Sequence, residues 1–301
     1  MSEVKSFAVG NGDMFYILHN SDNFSIIDCC YEDEKQQNLI LDIIKTHVDK
    51  KGITRFISTH PDEDHIKGLV ELDDKIHILN FYVVENLATK EDQTDNFKRY
   101  CELRDGDHHY YVYKGCERKW MNKSDDVRES SGINFLWPDL ENNDFKNVIE
   151  SVKEGSSPNN LSPIFTYSVK NGVVMMWMGD METEFLDKIK DEIDWPKVDV
   201  LFAPHHGRKS GHVSSDVLKK LSPKVIVIGE APSEDLNYYS DYNTIKQNSS
   251  GDITFICKGE VVRIYVENFD YSYEIEELID DGAADLPGAK YLGSFKPYAA
   301  E

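Results

Sequence analysis

The chain has 301 residues, 40% of them hydrophobic, and a formal net charge of −22. That length supports one large α/β domain or two small ones, and the charge excludes a protein that coats nucleic acid through its whole surface. No run approaches the ~20 apolar residues of a membrane span and no leader opens the chain; five cysteines, without zinc or redox spacing, point to reduced thiols, so a soluble cytoplasmic protein is expected.

Short apolar runs at residues 4–9, 13–19 and 24–28 are separated by turn chemistry (Gly10-Asn11-Gly12 and residues 20–23) and predict strands. Residues 32–51 carry Ile40, Ile43, Ile44 and Val48 at helical spacing, with Gly52 in the place of a C-terminal cap. Strands follow at 55–59 and 80–84. Residues 85–132 break the rhythm and read as an inserted polar segment or lid. Eight of its cations (Lys98, Arg99, Arg104, Lys114, Arg118, Lys119, Lys123, Arg128) are interleaved with tyrosines and Trp120, a mixture suited to clamping a nucleic-acid strand or to an ordinary solvated surface. Strands are predicted at 133–137, 164–169, 173–178, 198–203, 224–229, 253–257 and 261–266, with helices at 183–192 and 214–221. One domain of residues 1–270 results. Residues 271–301, acidic and then rich in Gly, Pro and small side chains, read as a flexible tail able to dock a protein partner.

Chemistry concentrates at three strand ends. Thr59-His60-Pro61-Asp62-Glu63-Asp64-His65 follows Phe56-Ile57-Ser58. Gly179-Asp180 follows the apolar run 173–178. Pro204-His205-His206-Gly207 follows the run 198–203. Carboxylates and imidazoles at this density are costly to bury unless something binds them. Only the fold can gather three such distant segments. A carboxylate bridges two ions well, and Asp180 is the natural bridge. His60 and Asp62 would serve one divalent ion. Asp64 and His65 would serve the other, with His205 completing its shell and Asp64 also acting in catalysis. His206 is read as the proton donor to the leaving group or a holder of a phosphate oxygen, the two histidines being exchangeable. Arg208 and Lys209 are candidate phosphate contacts, and so are Asn160 and Ser162 unless they stand in for a ligand. Asp13 and Asp28 are read as orienting loops and ligands from behind.

His60-x-Asp62-x-Asp64-His65 with Gly68-Leu69, then Gly179-Asp180, then His205-His206-Gly207, resembles the metallo-β-lactamase fold. More narrowly it is similar to the soluble metallo-hydrolase domain of ComEC-type DNA-uptake proteins. Val9-Gly10-Asn11-Gly12-Asp13, Asn159-Asn160-Leu161-Ser162 and Ser250-Gly251-Asp252 carry the narrower likeness, which covers roughly residues 6–268. The resemblance implies a four-layer αββα sandwich with two metals at one edge. Asp62 stands where the superfamily more often has a histidine, and no histidine lies between His109 and His205. The harder oxygen donors shift preference toward Mn²⁺, with Zn²⁺ or Mg²⁺ as alternatives. The expected activity is metal-dependent hydrolysis of phosphodiesters, with DNA or RNA as substrate. The alternatives are hydrolysis of a small phosphodiester, cyclic nucleotide, lactone or thioester, or a metal-poor scaffold.

Overall fold

A computed structural model describes residues 1–272 and 275–300. Most of the predicted apolar runs become strands. β1 (Ser2–Ser6) alternates buried and half-buried side chains. β3 (Asn23–Ile27) is buried throughout, because both of its faces are covered. With β2 (Phe15–Leu18), β4 (Ile53–Ile57), β5 (Phe81–Val83) and β6 (His109–Tyr111) they form one sheet. The late strands β13 (Ile253–Lys258), β14 (Val261–Val266) and β15 (Lys290–Phe295) extend it to nine, ordered β15-β14-β13-β1-β2-β3-β4-β5-β6. β7 (Ile133–Trp137), β8 (Ile164–Ser168), β9 (Val174–Trp177), β10 (Val200–Phe202), β11 (Val225–Ile228) and β12 (Thr244–Lys246) form a second sheet of six in reverse chain order.

The two sheets face each other across an aromatic core. Phe15 of the first sheet meets Trp177 edge-on at 6.0 Å and Phe202 at 5.0 Å, and Trp177 stacks on both Phe202 and Phe165. Such pairs add directional preference to the area they bury. The first sheet is covered outside by α1 (Glu34–Val48), α3 (Leu69–Ile76) and α4 (Asp95–Asp105), which join it in a separate apolar cluster. The second is covered by α6 (Thr183–Ile189) and α7 (Ser215–Leu221), through Phe185, Leu186, Val217 and Leu221. This is the αββα sandwich implied by the resemblance to the metallo-β-lactamase fold. α1 is started by the Asp33 carboxylate accepting from Gln36 N at 2.8 Å. It stops at Asp49, short of Gly52.

Two expectations need correction. Residues 85–132 are no separate lid. α4 buries Phe97 and Tyr100 beneath the sheet, and β6 pairs with β5 as an edge strand. The expected clamp cations are paired within the chain, four of them (Lys98, Lys114, Lys119, Lys123) on its exposed surface. Arg99 reaches Asp73 and Asp74, Lys98 Asp95, Arg104 Asp105, Lys119 Asp125, Lys123 Glu117 and Arg128 Asp22. Lys114 donates to the Glu192 carbonyl, and the Arg118 guanidinium lies 4.5 Å from the Tyr110 ring and 5.1 Å from that of Tyr82. Arg99 and Arg128 draw acids from outside the segment, whereas Lys98, Arg104, Lys119 and Lys123 pair with acids inside it.

The C-terminal segment is likewise no free tail. β15 pairs antiparallel with β14 and buries Phe295. Beyond it, Tyr298 N–H donates to Asp199 Oδ1 at 2.8 Å and its hydroxyl to the Ser222 carbonyl at 2.7 Å. Glu274, part of the expected acidic stretch, lies outside the described residues. Among those residues, no helix is long and apolar enough to cross a membrane. Phe295→Ala is expected to cost about 3 kcal/mol, read as a lower urea midpoint at unchanged slope. A midpoint equal to wild type would mean that this strand is not docked.

Candidate metal centre

β9 and β10 run parallel, so their carboxyl ends open side by side, and β4 ends at the same edge of the facing sheet. Ligand sites of α/β proteins form beyond such ends. Gly179 makes the approach of the two sheets here, with φ +49; a Cβ would lie 2.5 Å from Ser162 Oγ and 2.8 Å from Thr59 Cβ. Asp180 follows it. After β10 the chain turns sharply, and both His205 (φ 51) and His206 (φ 56) take left-handed backbone conformations. Non-glycine residues hold such angles only where the surroundings enforce them.

The result is a ring of imidazoles around one carboxylate. His65 Nε2 lies 3.1 Å from Asp180 Oδ1. From Asp180 Oδ2, His205 Nε2 is 3.5 Å away, His206 Nε2 3.6 Å and His60 Nε2 3.9 Å. Each ring is fixed from its other nitrogen. His65 Nδ1 meets Asp28 Oδ2 at 2.8 Å, and His206 Nδ1 meets Asp13 Oδ1 at 3.1 Å. His60 Nδ1 lies between the hydroxyls of Thr59 (3.1 Å) and Ser162 (3.3 Å), and His205 Nδ1 meets Ser210 Oγ at 2.9 Å. An oxygen partner on Nδ1 selects the tautomer and aims Nε2, as in many metal sites.

The remaining acids close the ring. Asp62 Oδ2 lies 3.7 Å from His60 Nε2, and Asp64 Oδ2 lies 3.6 Å from His206 Nε2. Asp28 is fully buried and also accepts from the Thr59 backbone and hydroxyl, which ties the His60 loop to β3. Asp13 N–H donates to the Asp64 carbonyl at 3.1 Å, which ties the first hairpin to the same loop.

These residues fit a cation. His60 Nε2, His65 Nε2, His206 Nε2 and Asp180 Oδ1 are buried and have no hydrogen-bond partner among the described residues. Each such orphan costs about 1–3 kcal/mol. One donor atom from each of Asp13, His65, Asp180 and His206 falls within 4.8 Å of the others. Imidazole and carboxylate together suit Zn²⁺ or Mn²⁺. Burial and the neighbouring His65 push His60 well below its ordinary value, leaving it neutral and able to ligate. Burial opposes protonation of His65 and His206 too, but facing carboxylates win. Asp180 and Asp28 raise His65 well above its usual range, and Asp13 and Asp180 raise His206 to about 10.

Sequence reasoning named every residue of this ring but placed some of them differently. His206, read as the proton donor, is the buried member of its pair, while His205, read as the ligand, is half-buried at the rim beside exposed Ser210. Asp13, read as standing behind the ligands, holds His206 Nδ1 at 3.1 Å and also falls within the tight cluster. Ser162 and Asn160, expected at the substrate, bond inward. Ser162 Oγ accepts from Asp180 N–H at 3.0 Å, and the Asn160 amide brackets Glu182. Arg208 lies at the rim and donates to Asn11 Oδ1; Lys209 is exposed. One neighbour went unnoticed. Lys90 Nζ, from the inserted segment, lies 2.8 Å from Asp62 Oδ1.

No family profile and no curated protein matches this sequence. Solved structures similar to it include the BLEG-1 B3 metallo-β-lactamase, at 16% identity over 59% of this chain and 71% of that one (TM-score 0.31). A long-form RNase Z from yeast follows at 10% identity over 75% and 37% (TM-score 0.39). CmlA, a diiron β-hydroxylase from Streptomyces venezuelae, shares 11% identity over 76% and 44% (TM-score 0.39). The chain thus spans less than half the length of the latter two. None of these likenesses assigns a reaction to it.

Two outcomes are expected of the centre. Asp28→Asn lowers affinity for Zn²⁺ or Mn²⁺ by about 10–100-fold in competition with a chromophoric chelator; wild-type affinity would mean that Asp28 does not orient His65. Loading the metal-free protein at pH 7 releases protons, because His206, with its value near 10, is protonated there and must lose its proton to ligate. Calorimetric heats should therefore vary with buffer ionisation enthalpy in the direction of release, to which His65, also held protonated by Asp180 and Asp28, contributes.

Proposed function

We propose that the protein is a metal-dependent hydrolase of phosphodiester bonds, acting on DNA, RNA or their short fragments. The observation that carries this reading is the convergence of four imidazole Nε2 atoms on the Asp180 carboxylate, three of them buried and otherwise unpartnered. Divalent cations held there would supply Lewis acidity to water and to the phosphoryl group alike.

The chain's own residues divide the remaining work. Asp180 is the carboxylate shared between two positions. His60 and Asp62 would hold one ion; Asp64, His65 and His206, with Asp13 behind or beside them, would hold the other. His205 is the ring member with access to solvent. Burial lowers its proton affinity and keeps it neutral, so it could accept a proton or ligate an ion through the Nε2 that faces Asp180. Arg208, Lys209 and Lys90 stand around the rim as cations for phosphate oxygens. Four carboxylates among the donors (Asp13, Asp62, Asp64, Asp180) favour hard ions such as Mn²⁺, which suits phosphoryl chemistry.

A specific observation favours short substrates over long ones within this class. The inserted segment's eight candidate clamp cations are engaged inside the chain. Acids also outnumber cations over residues 85–132, so the segment offers no net positive track to a polymer backbone.

The test is cleavage by purified protein, stripped and reloaded with Mn²⁺ or Zn²⁺, of single- and double-stranded DNA and RNA and of dinucleotides. Asp64→Ala and His65→Ala are expected to lower kcat by about a thousandfold or more. Metal-loaded wild type inert toward every one of these substrates would sink the proposal.

A further inference from the structure

Beside Asp62 a pocket of about 410 Å³ opens between two loops. Ala88, Thr89 and Lys90 make one wall. The other is residues 152–158, which lead directly into the 159–162 turn that holds His60 and Asp180. Its floor is apolar, with Ala88, Val152 and Pro158 all buried; its rim carries exposed Ser156 and Thr89. Asp62 and Lys90 stand at the end nearest the metal centre, 2.8 Å apart.

Both walls are anchored to the centre rather than hanging over it. Thr94 Oγ1 and Asn96 Nδ2 bond the Glu63 carboxylate at 2.9 and 3.1 Å, and Thr89 Oγ1 bonds the Lys153 carbonyl of the opposite wall at 3.0 Å. The volume falls in the range of preformed small-ligand sites, about 300–1,000 Å³, and the lining joins the apolar floor to polar groups of Thr89, Glu91, Ser156 and Ser157. An ammonium group has three donors. Lys90 bonded to Asp62 therefore retains donors for a second anion.

We propose that this pocket is the subsite for the nucleoside attached to the phosphate being cleaved. Lys90 bridges Asp62 to a phosphate oxygen, and the buried floor receives the sugar and base. The proposal rests on the phosphodiesterase reading and narrows it to dinucleotides and the terminal unit of a strand. The Thr89–Lys153 hydrogen bond joins the two walls, so the cleft stops there and suits an end, whereas a strand interior needs a groove that continues on both sides.

The experiment compares Mn²⁺-loaded wild type, Ser156→Trp, Lys90→Met and Lys90→Arg on thymidylyl-thymidine and on methyl p-nitrophenyl phosphate, which has no nucleoside. Metal content and thermal midpoint are measured for each variant as folding controls. Ser156→Trp, which fills the pocket from an exposed position, should lower the ratio of kcat/KM for the dinucleotide over the methyl ester about tenfold. Lys90→Met should raise KM about tenfold on both substrates at retained metal content, and Lys90→Arg should restore it. An unchanged ratio in Ser156→Trp overturns the subsite while leaving the hydrolase reading intact. A Lys90→Met variant that loses metal but keeps wild-type KM per loaded site overturns the bridging role. Wild type inert toward both esters overturns the parent reading and the subsite with it. Circular and linear single strands separate the two sources of a nucleotide end: linear strands should be cleaved and circles spared, and equal cleavage would overturn the restriction to ends.

Discussion

Everything at this edge of the sandwich is organised by one buried carboxylate. Asp180 is nearly inaccessible, and four imidazoles face it. A buried anion is tolerated only when charge or hydrogen bonds compensate it. In the protein alone that compensation falls to protonated histidines, which hold Asp180 well below the usual carboxylate range against the opposing effect of burial. Metal would replace those protons, and the same geometry serves both states. The orphaned nitrogens mark where the replacement is incomplete without a cation.

Precision in such a ring has to come from behind it. Five separate oxygens hold the Nδ1 atoms: a carboxylate from the end of β3, another from the first hairpin, a hydroxyl pair from segments beside the two sheets, and a serine in the His205 turn. Because these supports sit beside both sheets, the packing of Trp177, Phe202 and Phe15 between the sheets also sets distances within the ring. Glycine enters where backbones must touch. At Gly207, with φ +88, a Cβ would lie 2.6 Å from Ile228 Cγ2, so the histidine turn packs directly on β11. The strained conformations of His205 and His206 persist because that turn is clamped between the strand beneath and Asp13 above.

How much of this was legible depended on whether the cause was local. The strands and the His60–His65 cluster were readable because hydrophobic runs and ligand density are properties of consecutive residues. That the strand ends meet was expected from the candidate ligands they carry, whereas the direct parallel pairing of β9 with β10 came only with the structure. The division between His205 and His206 was not readable. Adjacent residues in left-handed turns point in directions that no periodicity encodes, and burial separates them only once β11 and Asp13 are in place. Lys90 escaped notice because it is a single cation among many, and its partner Asp62 lies 28 positions away. The C-terminal strand escaped for a related reason. Residues 290–295 (KYLGSF) mix charged, small and apolar residues, and it is the waiting edge of β14 that makes them a strand.

The overall charge and the proposed chemistry look opposed, since an acidic protein repels phosphate. The conflict is one of range. At physiological ionic strength surface charges are screened beyond about 8 Å, so the −22 total acts weakly on a small substrate and cumulatively on a long polyanion. Inside the cleft the nearest charges decide, and there two divalent ions with Lys90 and Arg208 would outweigh the acids they neutralise. A short phosphodiester entering one pocket meets mostly that local field. A duplex lying across the face meets the whole surface. Under the proposed phosphodiesterase reading, pairing of the insertion's cations and the pocket beside Asp62 point the same way: the acidic exterior would act as a filter on substrate length, and the metal edge would act on the small anions that pass it.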